Sequence, residues 1–134
     1  MQVQPYLSFN GCAEEALNFY QEAIGAELVM LMRFKENPEP QYNPPGSEEK
    51  VMHMSFRVGD SVLMGSDGDC SGNATLKGIR LALGVDTAEE AEEKFARLSA
   101  GGTIDMPLME TFFSPKFGML TDRFGLGWMV RVNQ

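Results

Sequence analysis

Histidine is nearly missing from this chain. His53 stands alone, which excludes the multi-imidazole cluster of an ordinary zinc enzyme. The two cysteines, Cys12 and Cys70, show no spacing motif, so a disulfide-built scaffold is not expected and a reducing cytoplasm is the default location. Basic residues are also scarce. Eleven against nineteen acids leave a net charge of -8, which repels a polyphosphate backbone and argues against a nucleic-acid role. The longest uninterrupted apolar run, Leu28 to Met32, is far too short to cross a bilayer, and no membrane role is expected. The start, Met1-Gln2-Val3-Gln4-Pro5, lacks the basic and apolar regions of a signal peptide. What remains is a 134-residue chain, 43% hydrophobic and 22% charged, enough for one ordinary domain or two small units sharing a core.

The chain echoes itself. Ala13-Glu14-Glu15-Ala16 recurs as Ala88-Glu89-Glu90-Ala91, each after a short β-like run. Tyr20 then corresponds to Phe95 and, after a one-residue slip, Gly25, Leu28 and Met30 correspond to Gly101, Ile104 and Met106. This spacing supports duplication of one unit. Each echo opens with a helix. Ala13, Ala16, Leu17, Tyr20 and Ile24 stack on one face, and Gly25 ends the helix through a left-handed turn. Thr87 and Glu90 have capping-box spacing ahead of the buried stripe Ala88, Ala91, Phe95 and Leu98, with Gly101-Gly102 as the stop. Strands are expected at 3–9, 27–35, 51–58, 61–66, 78–85, 103–106, 118–122 and 127–132, with Gly59-Asp60 as a tight hairpin turn. Each half then reads strand, helix, three strands. Residues 36–49 hold four of the seven prolines and form no regular element, leaving a mobile flap or a solvated hairpin tip as alternatives. Residues 67–76 are read as a linker between module one (1–66) and module two (77–134).

Three stretches carry a family resemblance. Pro5-Tyr6-Leu7-Ser8-Phe9-Asn10-Gly11 runs into Glu15-Ala16-Leu17-Asn18-Phe19-Tyr20. Val51-Met52-His53 goes with Asp60-Ser61-Val62-Leu63-Met64, and Gly118-Met119-Leu120-Thr121-Asp122-Arg123-Phe124-Gly125 precedes Trp128. With the paired pattern, they resemble the PhnB-like branch of the vicinal oxygen chelate superfamily, which includes glyoxalase I, ring-cleaving dioxygenases and bleomycin resistance proteins. The resemblance implies an α+β fold: two βαβββ modules forming a curved mixed sheet around a cup-shaped cavity, with helices outside. It also implies a homodimer. Some relatives are described as 3-demethylubiquinone methyltransferases. The residues do not support that chemistry here, because an adenosine-bearing methyl donor usually sits on a glycine-rich strand-to-helix turn of a parallel sheet. Gly125-x-Gly127 lies instead between two antiparallel strands.

Metal-dependent members of the superfamily place a His, Glu or Gln at four matching strand positions. Aligning helix starts and final hairpins puts those positions at Pro5, Met64, Arg80 and Met129. Proline, methionine and arginine offer no oxygen or imidazole to a divalent ion, and two thioethers beside a guanidinium suit even Cu(I) poorly. Asp67-x-Asp69-x-Ser71-Gly72 begins like a calcium loop, but Gly78 stands where the bidentate Glu belongs. Neither a metal nor another cofactor is therefore expected.

Strand alternation maps the expected cavity. Leu81, Leu83 and Val85 suit the helix side, leaving Arg80 facing the cavity. Pro5, Leu7, Met64 and Met129 would supply apolar wall, His53, Arg33 and Ser66 the sparse polar groups, and Glu110 a rim. Such a hollow suits a small organic ligand. His53 is the candidate general acid/base, with a histidine bridging strands or a subunit contact as the plainer alternative. Arg80 either clamps an anion or pairs with an acid structurally. Asp67 and Asp122 are read as turn residues, Trp128 as core and Cys12 as a helix-start thiol without a base. The leading functional expectation is metal-independent small-molecule binding. A metal-free lyase or isomerase using His53 and Arg80 is the alternative, and a metal-dependent lyase or dioxygenase with displaced ligands a further one.

Overall fold

A computed structural model describes residues 1–133. The chain divides into two compact units, Met1–Thr75 and Leu76–Gln134. Both are α+β, with one helix and one four-stranded mixed sheet each.

In the first unit, β1 (Tyr6–Ser8) leads into α1 (Ala13–Ile24), followed by β2 (Glu27–Arg33), β3 (Val51–Val58) and β4 (Ser61–Ser66). The sheet order is β1-β4-β3-β2, with β1 parallel to β4 and the rest antiparallel. The apolar stripe of α1 folds onto one sheet face, where Leu7, Phe9, Ala13, Ala16, Tyr20, Met54 and Phe56 are essentially inaccessible. Tyr20 stacks on Phe56 with ring centroids 6.1 Å apart. Removing side chains of this size from water contributes about 2 kcal/mol each. Gly25 stops the helix at φ 70°, with the Gly25 and Ala26 N–H groups bonded back to Gln21 O and Tyr20 O.

The other end of α1 is held differently. Cys12, at the N-cap, gives no side-chain cap, and its thiol donates to Phe9 O instead. The cap comes from Asp67, just past β4. Its Oδ1 accepts from Gly11 N at 2.9 Å and Ala13 N at 2.8 Å, and its Oδ2 from Val51 N at 2.8 Å. A carboxylate with three backbone donors tolerates full burial. Asp67 therefore does more than form a local turn, and residues 67–73 fold back onto the first unit, with Gly72 N bonded to Asn10 O and Asn10 Nδ2 to Asn73 O.

The proline-rich segment folds as a loop closed at its base by Phe34 N to Lys50 O and Lys35 N to Glu48 O. It contains two short 3-10 turns, Phe34–Glu36 and Pro40–Tyr42. Asn43 Nδ2 donates to Phe34 O at 2.8 Å across it, and Ser47 is buried inside.

The second unit repeats the plan with β5 (Arg80–Val85), α2 (Ala88–Ser99), β6 (Thr103–Thr111), β7 (Ser114–Thr121) and β8 (Gly127–Val132), in the order β5-β8-β7-β6. Thr87 caps α2 by accepting from Glu90 N at 3.1 Å. Phe95, Leu98, Leu120, Leu126, Trp128 and Val130 form the core. Asp122 accepts from Phe124 N and Leu126 N at the turn, and from Trp128 Nε1 at 2.9 Å. Strands β6 and β7 extend beyond their expected bounds to a hairpin tip that carries Phe112 and Phe113.

Matching bulges mark the duplication. In the first unit Leu28 pairs with Phe56 and Met30 with Ser55, so Val29 is an extra residue. In the second, Ile104 pairs with Leu120 and Met106 with Met119, so Asp105 is extra. An extra residue reverses which side chains face the helix from that point on.

Candidate functional site

Each sheet has a face turned away from its helix, and the register fixes what lies there. Cross-strand partners share a face. In the first unit they form the row Tyr6–Met64–Ser55–Met30. In the second they form Ala82–Met129–Met119–Met106. Gly118, next to Met119, lies under Phe95 of α2, so Met119 and Met129 point the other way. Five methionine thioethers thus line these faces, Met64 and Met30 in the first unit and Met129, Met119 and Met106 in the second, with Met64 and Met129 at matching positions. Flexible, polarizable side chains of this kind fit irregular organic surfaces.

Polar groups flank the rows. In the first unit the Tyr6 hydroxyl and His53 Nδ1 lie 3.0 Å apart, with the rings stacked at 5.6 Å. Tyr6 therefore orients the imidazole. In the second unit Arg80 Nη1 donates to Leu120 O at 2.9 Å and pairs with Asp105 Oδ2 at 3.0 Å. The same Asp105 oxygen accepts from Thr121 Oγ1 at 2.7 Å, and that bond, followed by Arg80, holds the Asp105 carboxyl below its ordinary value. The bulge aims Asp105 at this pair. Gly127 makes room for it, because a Cβ there would come within 2.8 Å of Arg80 Cγ.

Several expected site residues lie elsewhere. Leu7 is fully buried against α1, so β1 turns Tyr6 and Ser8 outward in its place. Pro5 precedes β1, and its carbonyl accepts from Met64 N; Tyr6 is the residue paired with Met64. Arg33 is on the helix side. It makes a two-pronged ion pair with Glu14 at 2.7 and 3.1 Å and donates to Glu49 O. The Val29 bulge causes this reversal, bringing Met30 and Met32 to the open face. That ion pair holds the Glu14 carboxyl below its ordinary value and the Arg33 guanidinium above its own. Ser66 is buried, its hydroxyl accepting from Gly68 N at 2.9 Å. Glu110 is exposed near the β6–β7 tip. His53 and Arg80 belong to different units, and each has its own local partner. Sequence reasoning missed Tyr6, Asp105, Met106 and Met119. Cross-strand register places them, and no local sequence signal marks it.

A cleft of about 200 Å³ lies at the start of α1, lined by Gly11, Glu14, Glu15, Glu49, Lys50, Val51 and Asp67. Glu14 pairs there with Arg33, Glu49 with Lys35 and Asp67 with backbone donors, and Lys50 Nζ donates to Gly11 O at 2.8 Å. Burial pushes the neighbouring Cys70 thiol up, away from nucleophilic use.

Comparison with known proteins places this architecture. A family model described as 3-demethylubiquinone-9 3-methyltransferase matches residues 1–131. A Bacillus cereus structure described as a putative 3-demethylubiquinone-9 3-methyltransferase, PhnB protein, is 31% identical with a TM-score of 0.82, covering 98% of this chain and 99% of its own. The chain belongs to this PhnB-like family. Within the vicinal oxygen chelate superfamily, it is also similar to protein PA1353 from Pseudomonas aeruginosa, at 38% identity and a TM-score of 0.87 over 100% of this chain and 98% of that one. Protein YjdN of Escherichia coli (strain K12) is 36% identical over 140 residues, spanning 98% of this chain and 95% of the relative.

Metal-binding members of the superfamily prompt a test of fit. The row pairs Tyr6–Met64 and Ala82–Met129 offer a phenol, two thioethers and a methyl group, which do not suit a divalent cation. Arg80, one pleat away from Ala82, adds positive charge. Among the described residues, no three His, Cys, Asp or Glu side chains come together to hold an ion. The side chains of these rows do not make a ligand set for a divalent cation. The Gly125-x-Gly127 pair lies at the β7–β8 hairpin, not at a strand-to-helix turn. None of the described helices is long and apolar enough to cross a membrane.

Proposed function

We propose that this chain is a metal-independent small-molecule-binding protein in which the helix-free face of a sheet carries the ligand. The observation that supports this reading most strongly is the pair of matching rows, Tyr6–Met64–Ser55–Met30 and Ala82–Met129–Met119–Met106, in which Met64 and Met129 stand at two of the four positions where the resemblance puts the ligands of metal-dependent relatives. Apolar surface with few polar groups favours an organic guest. The proposal includes a cytoplasmic homodimer, supported by exposed apolar side chains on both units, among them Leu28, Val29, Ile104 and Phe112. A thermal-shift screen over organic acids, quinones and cationic drugs tests the reading. A ligand selective for the native state raises the midpoint, and light scattering gives the mass of the assembly.

A second reading is supported by the Tyr6–His53 contact. A histidine oriented by a phenol can move a proton, so a metal-free lyase or isomerase could use His53 as acid/base. Tyr6→Phe tests this. Turnover of a screened ligand that drops with Tyr6→Phe and disappears with His53→Gln supports catalysis, and binding without turnover rejects it.

A further inference from the structure

The two units differ at one matched place. Val29, the bulge residue of the first, is apolar, whereas its counterpart Asp105 is a carboxylate facing Arg80. Gly127 lies opposite both Arg80 and Thr121, and the three form one row across β5, β8 and β7. Asp105 Oδ2 and Leu120 O both approach Arg80 at Nη1. Among the described residues Nε and Nη2 donate no hydrogen bond to protein, on a side chain 33% exposed. Those two atoms form an edge that matches the two oxygens of a carboxylate. Two residues further along each strand, on the same face, comes the Ala82–Met129–Met119–Met106 row, roughly 7 Å from the arginine row.

Building on the proposed binding role, we infer that the second unit selects an organic anion with an apolar body. The carboxylate takes the free edge of Arg80, and the body lies over the methionine row. Asp105 is the positioning residue. Braced by Thr121, it holds the guanidinium beside Gly127, and its counter-charge limits how strongly Arg80 attracts an anion. Charge complementarity thus points to an acid, even though the protein as a whole is acidic.

The test uses ¹³C-methyl methionine NMR on the full chain, titrated with 4-phenylbutanoate and with its uncharged amide. The Met106, Met119 and Met129 methyls should shift with both compounds, and the acid should bind about tenfold more tightly, as a charge-assisted hydrogen-bond pair predicts. Arg80→Gln should abolish that preference while leaving amide binding in place. Gly127→Ala, which displaces Arg80 without deleting it, should do the same if Arg80→Gln fails to fold. Asp105→Asn keeps an accepting oxygen but loses the counter-charge, so the acid preference should rise several-fold. Equal affinity for acid and amide would overturn this inference and leave the binding role standing. An unchanged preference in Asp105→Asn would overturn the part assigned to Asp105. No methyl shift with either compound would overturn both the inference and the binding role.

Discussion

Asp67 Oδ1 accepts the Ala13 N–H at 2.8 Å, joining the residue after β4 to the first turn of α1. Its second oxygen accepts from Val51 N, so one buried carboxylate ties together a helix, a strand and the end of another strand. Asp67→Asn replaces one accepting oxygen with a donor that faces an N–H. It should cost about 3 kcal/mol of unfolding free energy, in the range for hydrogen bonds to a buried charge. Urea denaturation at neutral pH measures this. A loss below about 0.5 kcal/mol would show that α1 does not depend on the carboxylate.

The Glu14–Arg33 pair predicts a pH effect. Glu14 has a folded-state value below its ordinary 4.5, so its stabilising contribution is present above that value and fades as pH falls through the lower folded value. Asp105, held below its ordinary 3.8, acts in the same direction. Half-exposed Glu14 is screened by solvent, so the effect is small. Glu14→Gln should lower the neutral plateau of a melting-temperature profile slightly, flatten the acid limb by the same amount, and converge with the parent at the acid end. An equally steep acid limb in Glu14→Gln would remove the pair from the account.

Gly118 provides a packing test. A Cβ there would come within 2.8 Å of Phe95 Cε2 and 3.0 Å of both Leu108 N and Met106 O. Backbone atoms leave little room to give, so Gly118→Ala should lose about 1–3 kcal/mol, the usual cost of overpacking. Differential scanning calorimetry gives the shift. A midpoint equal to that of the parent would mean that α2 packs less closely on β7 than described.

Features set by local sequence were legible without a structure. The α1 stripe, the Gly25 stop, the Thr87 cap and the Gly59-Asp60 hairpin all depend on neighbours within a few residues. The site was less legible because it depends on bulges. Arg33 alternates with Met30, Met32 and Phe34, whose apolar character suggests the core side. The register instead puts Met30 and Met32 on the open face and Arg33 toward Glu14. Aligning helix starts put Pro5, and with it Leu7, where Tyr6 belongs. Asp67 and Asp105 find partners far away in sequence, 54 and 25 positions distant at Ala13 and Arg80, which local rules for aspartate do not anticipate.

The central claim is that the helix-free faces accept organic surface and not a divalent cation. Adding cobalt(II) or manganese(II) stepwise to ¹³C-methyl methionine protein tests it most directly, because a bound paramagnetic ion broadens nearby methyl signals. The account predicts that Met64 and Met129 stay sharp through several equivalents. Selective loss of either signal at one equivalent would contradict it.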